Sequence, residues 1–385
     1  MTTQNSRPDV IVLLTDQERA APPYESDEVA AWRRTQLGGA QWFEDNGVSF
    51  RRHYAGSLAC VPSRPTLFTG QYPDVHGVSQ TNGLGKMDDD ARMRWLRPGE
   101  VPTLGHWFRA DGYDTTYVGK WHMTHADLID VRTGEPLETH DANGHIDQSA
   151  VQRYLDADVL DPFGFSGWVG PEPHGPTPQR SGLVSDPVYA SRAVDWLTER
   201  YERRRAGDAA AQRPFLLVVC FVNPHDIVFA PAWLGRIGST NPFANDQEMP
   251  PAVAASPTDD EDLSSKPAAQ IAYRASYPTT YGPAPVVERA YRQGAQQYRD
   301  IYYRLHRSVD APLDRVRSAV TDSGFDAVLA RTSDHGELLG AHGGLHQKWF
   351  NLYDEATRVP FVVARVGTNA TVSYTHLTLP TICSV

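Results

Sequence analysis

The chain has 385 residues and a formal net charge of −11, with an isoelectric point near 5.7. This acidic balance argues against binding nucleic acid through a basic surface, so an anionic substrate would need a locally positive pocket. The length suits one large α/β sheet with helices on both faces, and three cysteines are too few for a disulfide framework.

The longest early apolar run, Val10-Ile11-Val12-Leu13-Leu14, is too short for a membrane span or a signal-peptide core and follows polar residues. The sequence therefore predicts a cytoplasmic enzyme with no membrane partner. That run leads into Thr15-Asp16-Gln17. Further on, Cys60-Val61-Pro62-Ser63-Arg64-Pro65-Thr66-Leu67-Phe68-Thr69-Gly70 places a thiol among turn formers, ahead of a helix-like stretch and four residues before a cation. Such a setting suits a modified or reactive side chain better than core packing.

Thr103 can cap a helix over 104–110 that Gly112 stops. A second apolar run, Asp114-Thr115-Thr116-Tyr117-Val118, ends at Gly119-Lys120-Trp121-His122, and residues 189–205 have helical spacing. Residues 215–222 form a third run, which contains Cys220 as a buried thiol and ends at Asn223-Pro224-His225-Asp226. Residues 288–320 predict a helix broken at Pro312. Ala327-Val328-Leu329-Ala330 then leads through Arg331-Thr332-Ser333 to Asp334-His335-Gly336.

Two stretches, 161–187 and 229–285, are expected to be irregular and to act either as binding loops or as solvated excursions. His342 and His346 stand four apart, but Gly343 and Gly344 make a zinc-binding helix between them improbable. The segment 370–385, which holds Cys383, has no periodicity and reads as a non-native tail. A single domain is accordingly expected over 8–366.

Continuous apolar runs of strand length suit strands buried on both faces of a mostly parallel sheet. Ligands bind beyond the carboxyl ends of such strands. All four polar clusters fall there, which gathers Asp16, Gln17, Lys120, His122, His225, Asp334 and His335 at one sheet edge. A single cluster would read as ordinary loop polarity; four in succession argue for a site.

The Cys60 motif resembles the formylglycine motif of the type I sulfatases, members of the alkaline phosphatase superfamily. The resemblance also rests on Asp16-Gln17, Gly119-Lys120-Trp121-His122, Pro224-His225, Ser333-Asp334-His335-Gly336, residues 343–348, and Tyr353-Asp354-Glu355-Ala356-Thr357-Arg358-Val359-Pro360. It implies that 8–366 is a catalytic domain with an alkaline-phosphatase-like sheet and a truncated C-terminal subdomain, and that it cleaves a sulfate monoester of a small molecule or glycan. It also implies that a formylglycine-generating enzyme oxidises Cys60 to an aldehyde, whose hydrate attacks sulfur. One divalent metal is implied on Asp16, Gln17, Cys60, Asp334 and His335. Calcium is the first choice, with manganese, magnesium or zinc open, because Gln17 and His335 replace the family's commoner Asp and Asn.

By the same resemblance Arg64 holds the diol oxygens and the metal cage, while Lys120 and Lys348 bind sulfate oxygens. His122 is the base that collapses the sulfated diol, and His225, with Lys348 as a second candidate, serves the leaving oxygen. Two alternatives stand beside this reading. One is a phosphonate monoester or phosphodiester hydrolase of the same superfamily, toward which the Asp-Gln and Asp-His pairs lean; the other is an inactive truncated fragment. The alcohol that carries the sulfate and the oligomeric state are not readable from the residues.

Overall fold

The computed structural model describes residues 7–367 apart from 84–85, 87, 174–176, 235–241, 244–248 and 281–284. The expected tail at 370–385 lies outside the described residues. Six strands form one sheet: β1 (Asp9–Asp16), β2 (Gly47–Ser49), β3 (Asp114–Gly119), β4 (Phe215–Pro224), β5 (Ala327–Ser333) and β6 (Phe361–Val366), in the order β2-β6-β5-β1-β4-β3. β1 lies parallel to both β4 and β5, and β3 parallel to β4. β6 alone runs against its neighbours β5 and β2.

The unbroken apolar runs serve two cores at once. From β4, Phe215, Leu217, Val219 and Phe221 pack on one face against Leu197 and Tyr201 of the Gly182–Arg205 helix and Val309 and Leu313 of the Ala295–Ser323 helix. The alternate residues Leu216, Val218 and Cys220 meet Val61, Phe68, Tyr154 and Trp168 on the other face. Both faces are thus dry, which is why the strands lack polar alternation. Each of the four runs continues beyond its last strongly apolar residue, so Asp16, Gly119, Pro224 and Ser333 are strand termini.

Helix boundaries depart from the sequence reading in physically instructive ways. The Leu104–Ala110 helix has its capping box, with Thr103 and His106 exchanging side-chain and backbone bonds. The next long helix begins at Gly182, not at residue 189. Its start lies in the stretch expected to be irregular, where the Ser181 hydroxyl accepts from Leu183 N and the buried Asp226 carboxylate accepts from Gly182 N. The break expected at Pro312 occurs at Gly294 instead, between helices Pro285–Gln293 and Ala295–Ser323. An interior proline costs about 3 kcal/mol. Burying Val309, Leu313 and Val316 beside Pro312 is worth about 1.5–3 kcal/mol per side chain and carries the helix through.

The other stretch expected to be irregular, 229–285, includes helices Ala230–Leu234 and Ala268–Thr280. No helix among the described residues is long and apolar enough to cross a membrane.

Part of that stretch docks on the loop that carries Lys348. His342, at φ 56°, donates its backbone N–H to Thr258 Oγ1 at 3.0 Å, and Gly343 N donates to Thr258 O at 2.9 Å. The imidazole bridges Glu261 Oε2 at 3.0 Å and Glu355 Oε2 at 3.2 Å while stacking on Tyr353. Burial works against its charge, but the two carboxylates outweigh burial and raise its pKa above the ordinary imidazole range. The resulting stability is full below about pH 6.5 and is lost as pH rises through the raised pKa of the folded state. His342→Gln should therefore lower the melting temperature by about 2 °C near pH 6 and by less near pH 9, as read by scanning calorimetry. An equal loss at both pH values would show that the clamp is not ionic.

Candidate active site

Cys60 opens the Cys60–Thr69 helix immediately after Ala59, which sits at φ 66°. Its Sγ lies 3.5 Å from Asp16 Oδ1 and 3.2 Å from His335 Nε2. Three and four residues on, Ser63 and Arg64 share a helical face with Cys60. The Ser63 hydroxyl donates to the backbone carbonyl of Asp334, and Arg64 Nη1 donates to Asp334 Oδ2 at 3.1 Å. The Cys-x-Pro-Ser-Arg spacing thus pins one helix turn to the end of β5 with the sulfur aimed at the end of β1.

Between those strand ends lies a cluster of donors. One ligand atom each from Asp16, Cys60, Asp334 and His335 falls within 4.8 Å of the others, and all four residues are buried. Gln17, in the left-handed region at φ 70°, donates its backbone N–H to Asp334 Oδ1 at 3.1 Å, and its side-chain oxygen accepts from Lys348 Nζ. Its amide nitrogen donates to Glu337 and to Gln347. The buried Glu337 carboxylate is itself fixed by Tyr298 Oη at 2.7 Å and Gln347 N at 2.7 Å.

His335 Nδ1 lies 3.0 Å from the carbonyl of Gly336, which assigns it the ring proton and leaves Nε2 facing the cluster. Burial opposes charge on this ring, yet the Asp334 carboxylate and the Cys60 sulfur outweigh it and hold the imidazole at about 9. Two carboxylates, an imidazole nitrogen and the Cys60 position within reach of one another, with the Gln17 carboxamide next in sequence to Asp16, form a donor set that fits a divalent cation.

Cations ring the cluster. Lys120 forms a fully buried ion pair with Asp16. Burial disfavours the ionised Asp16, but Lys120, then His225, His335 and Lys348, hold its carboxyl well below the usual range. Arg64 is fully buried, and beyond Asp334 its donors go to the Trp121 carbonyl at 2.8 Å, Tyr117 Oη at 3.0 Å and the Lys120 carbonyl. Its expected hold on the cage is therefore accompanied by a second grip, on the turn that carries Lys120.

Arg64, Lys120 and Lys348 balance the Asp16, Asp334 and Glu337 carboxylates, so a divalent cation held in the cluster would leave the pocket positive. That balance favours an anion despite the acidic chain.

The two remaining expected residues stand at the margin of this network. His122 Nε2 lies 3.0 Å from Asn82 Oδ1, and the His122 backbone N–H donates to Glu172. His225 begins the short turn after Pro224, is partly buried, and is close enough to Asp16 to lower its pKa. Asn82, Tyr117, Glu172, Glu337 and Gln347 were not singled out from the sequence. Only Glu337 carried a signal there, as an acid three residues after Asp334.

Residues 8–379 match the family model Sulfatase. YidJ, an uncharacterized sulfatase of Escherichia coli K12, is 27% identical over 335 residues, covering 82% of this chain and 55% of that protein. Among solved structures, a 2-O GAG sulfatase superposes with a TM-score of 0.61 at 18% identity, covering 94% of this chain and 64% of the other. The phosphonate monoester hydrolase of Agrobacterium radiobacter does so with a TM-score of 0.56 at 20% identity, covering 93% and 68%. The chain spans little more than half the length of several curated relatives it matches. With the alkaline-phosphatase-like fold shared and the family model matched along nearly all its length, the chain belongs to the sulfatase family.

Proposed function

We propose that this chain carries the catalytic centre of a sulfuric ester hydrolase that cleaves a sulfate monoester of a small molecule or glycan after Cys60 has been oxidised to formylglycine. The observation that carries this reading is the buried sulfur set between Asp16 and His335 and surrounded by Arg64, Lys120 and Lys348. When formed and hydrated, the aldehyde supplies one hydroxyl to attack sulfur and a second whose deprotonation expels sulfate. A divalent cation, which Asp16, Gln17, Asp334 and His335 would hold together with the modified Cys60, would supply Lewis acidity, with calcium the first choice and manganese, magnesium or zinc compatible with the imidazole.

The chain's own side chains do the rest. Lys120 and Lys348 bind the sulfuryl oxygens, and Arg64 holds Asp334 in place so that the cage keeps its shape. His225 protonates the departing alcohol oxygen as the S–O bond breaks. His122 then takes the proton of the second hydroxyl, so that sulfate leaves and the aldehyde is restored. Maturation requires an oxidising partner of the formylglycine-generating type.

A second reading, hydrolysis of a phosphonate monoester or phosphodiester, is favoured by the Gln17 carboxamide and the His335 imidazole. Both make the cage less negative than three carboxylates would. These esters carry the same single charge as a sulfate monoester, so one pocket can hold either.

On matched aryl esters, the sulfate should turn over faster than the phosphonate; the opposite order would replace the first reading with the second. Chain co-produced with a formylglycine-generating enzyme should yield a Cys60 peptide with the mass of the aldehyde, and Cys60→Ala should lower kcat by about 10⁴-fold or more. Persistent free thiol or an active alanine variant would falsify the proposed nucleophile. Chelation should abolish turnover and added calcium or manganese restore it, while Asp334→Asn weakens metal affinity by about 10–100-fold in a metal titration.

A further inference from the structure

The Lys120–His122 turn is held from two sides. Arg64 takes the carbonyls of Lys120 and Trp121. On the opposite side one oxygen, Glu172 Oε1, accepts both Trp121 N at 3.2 Å and His122 N at 2.7 Å. His122 sits at φ 51°, a conformation that costs a non-glycine residue about 1–2 kcal/mol and persists only where surrounding bonds impose it. Glu172 is 7% exposed, its own backbone N–H donates to Asp127 Oδ1 at 2.8 Å, and its Oε2 is buried with no hydrogen-bond partner among the described residues.

We propose that Glu172 is a positioning residue for the hydrolysis, a double acceptor that fixes the backbone of the turn and so aims Lys120 at the sulfuryl group and the His122 ring at the Cys60 centre. This inference rests on the reading of the site as an ester hydrolase. Desolvation by burial, followed by repulsion from Asp127, pushes the Glu172 carboxyl up to about 8, against the backbone bond from His122 and the fields of Arg64 and Lys120. Either form of the group accepts the two amides through Oε1, and the shift lessens the negative charge it sets beside the pocket. Glutamine keeps the acceptor in nearly the same volume; alanine removes it and leaves two buried amides unsatisfied.

The test compares Glu172→Gln with Glu172→Ala in the full chain carrying the aldehyde and the metal, on whichever aryl ester the unsubstituted enzyme cleaves, with a crystal structure of each variant. The glutamine variant should keep kcat within about threefold. The alanine variant should lose about 10–100-fold in kcat with KM nearly unchanged, at equal aldehyde and metal content, and its His122 should leave the left-handed conformation. If the alanine chain does not fold, Glu172→Met fills the space without an acceptor of comparable strength and should show the same loss. An alanine or methionine variant with unaltered kcat, equal loss in the glutamine variant, or a His122 that stays in place without Glu172 would each overturn the proposal. Should the unsubstituted chain cleave neither ester, the hydrolase reading fails by itself, and the position of His122 in the variant structures still decides whether Glu172 sets the turn.

Discussion

The buried guanidinium of Arg64 is the interaction on which the centre depends. It ties Asp334, at the end of β5, to the carbonyls of Lys120 and Trp121 beyond the end of β3, and it projects from the helix that begins with Cys60. Three chain segments far apart in sequence are thereby fixed to one planar fork. Removing one partner of a buried charge pair costs about 3–5 kcal/mol, because the other charge is left without water. The geometry of the fork matters as much as its charge: a lysine could neutralise Asp334 but could not hold two carbonyls and a phenol at once.

Charge balance gives the centre its chemistry, and backbone strain gives it its shape. Gln17, Ala59 and His122 all adopt positive φ without being glycine; the first two adjoin Asp16 and Cys60, and His122 ends the turn that carries Lys120. Such conformations are found where neighbouring bonds over-determine the backbone. Here those bonds are identifiable: Asp334 for Gln17, and Glu172 for His122. Behind the site the buried Glu337 and Glu172 accept amides and a hydroxyl, and so fix the segments that carry Gln17, Gln347 and His122.

Much of this was legible in the residues. Four apolar runs without alternation announced strands covered on both faces, and the polar clusters after them announced one edge of a parallel sheet. What stayed hidden follows from the nature of the signals. Pro312 reads as a breaker because propensity is local, whereas the packing of Val309, Leu313 and Val316 that carries the helix past it is not. The helix starting at Gly182 was masked by its Pro- and Gly-rich lead, and its N-terminal bond to Asp226 joins residues 44 apart. Glu172 and Asn82 lie in loops with no pattern, and their value comes only from what the fold brings to them.

The seclusion of the Cys60 sulfur has a bearing on the order of events in the life of the chain. The residue is 3% exposed, roofed by Asp16 and by a histidine 275 positions downstream. In the finished fold no macromolecular catalyst can straddle that sulfur without displacing the strand ends around it. A nascent polypeptide offers it freely until β5 is delivered, so the oxidation proposed for Cys60 would compete in time with the closing of the sheet.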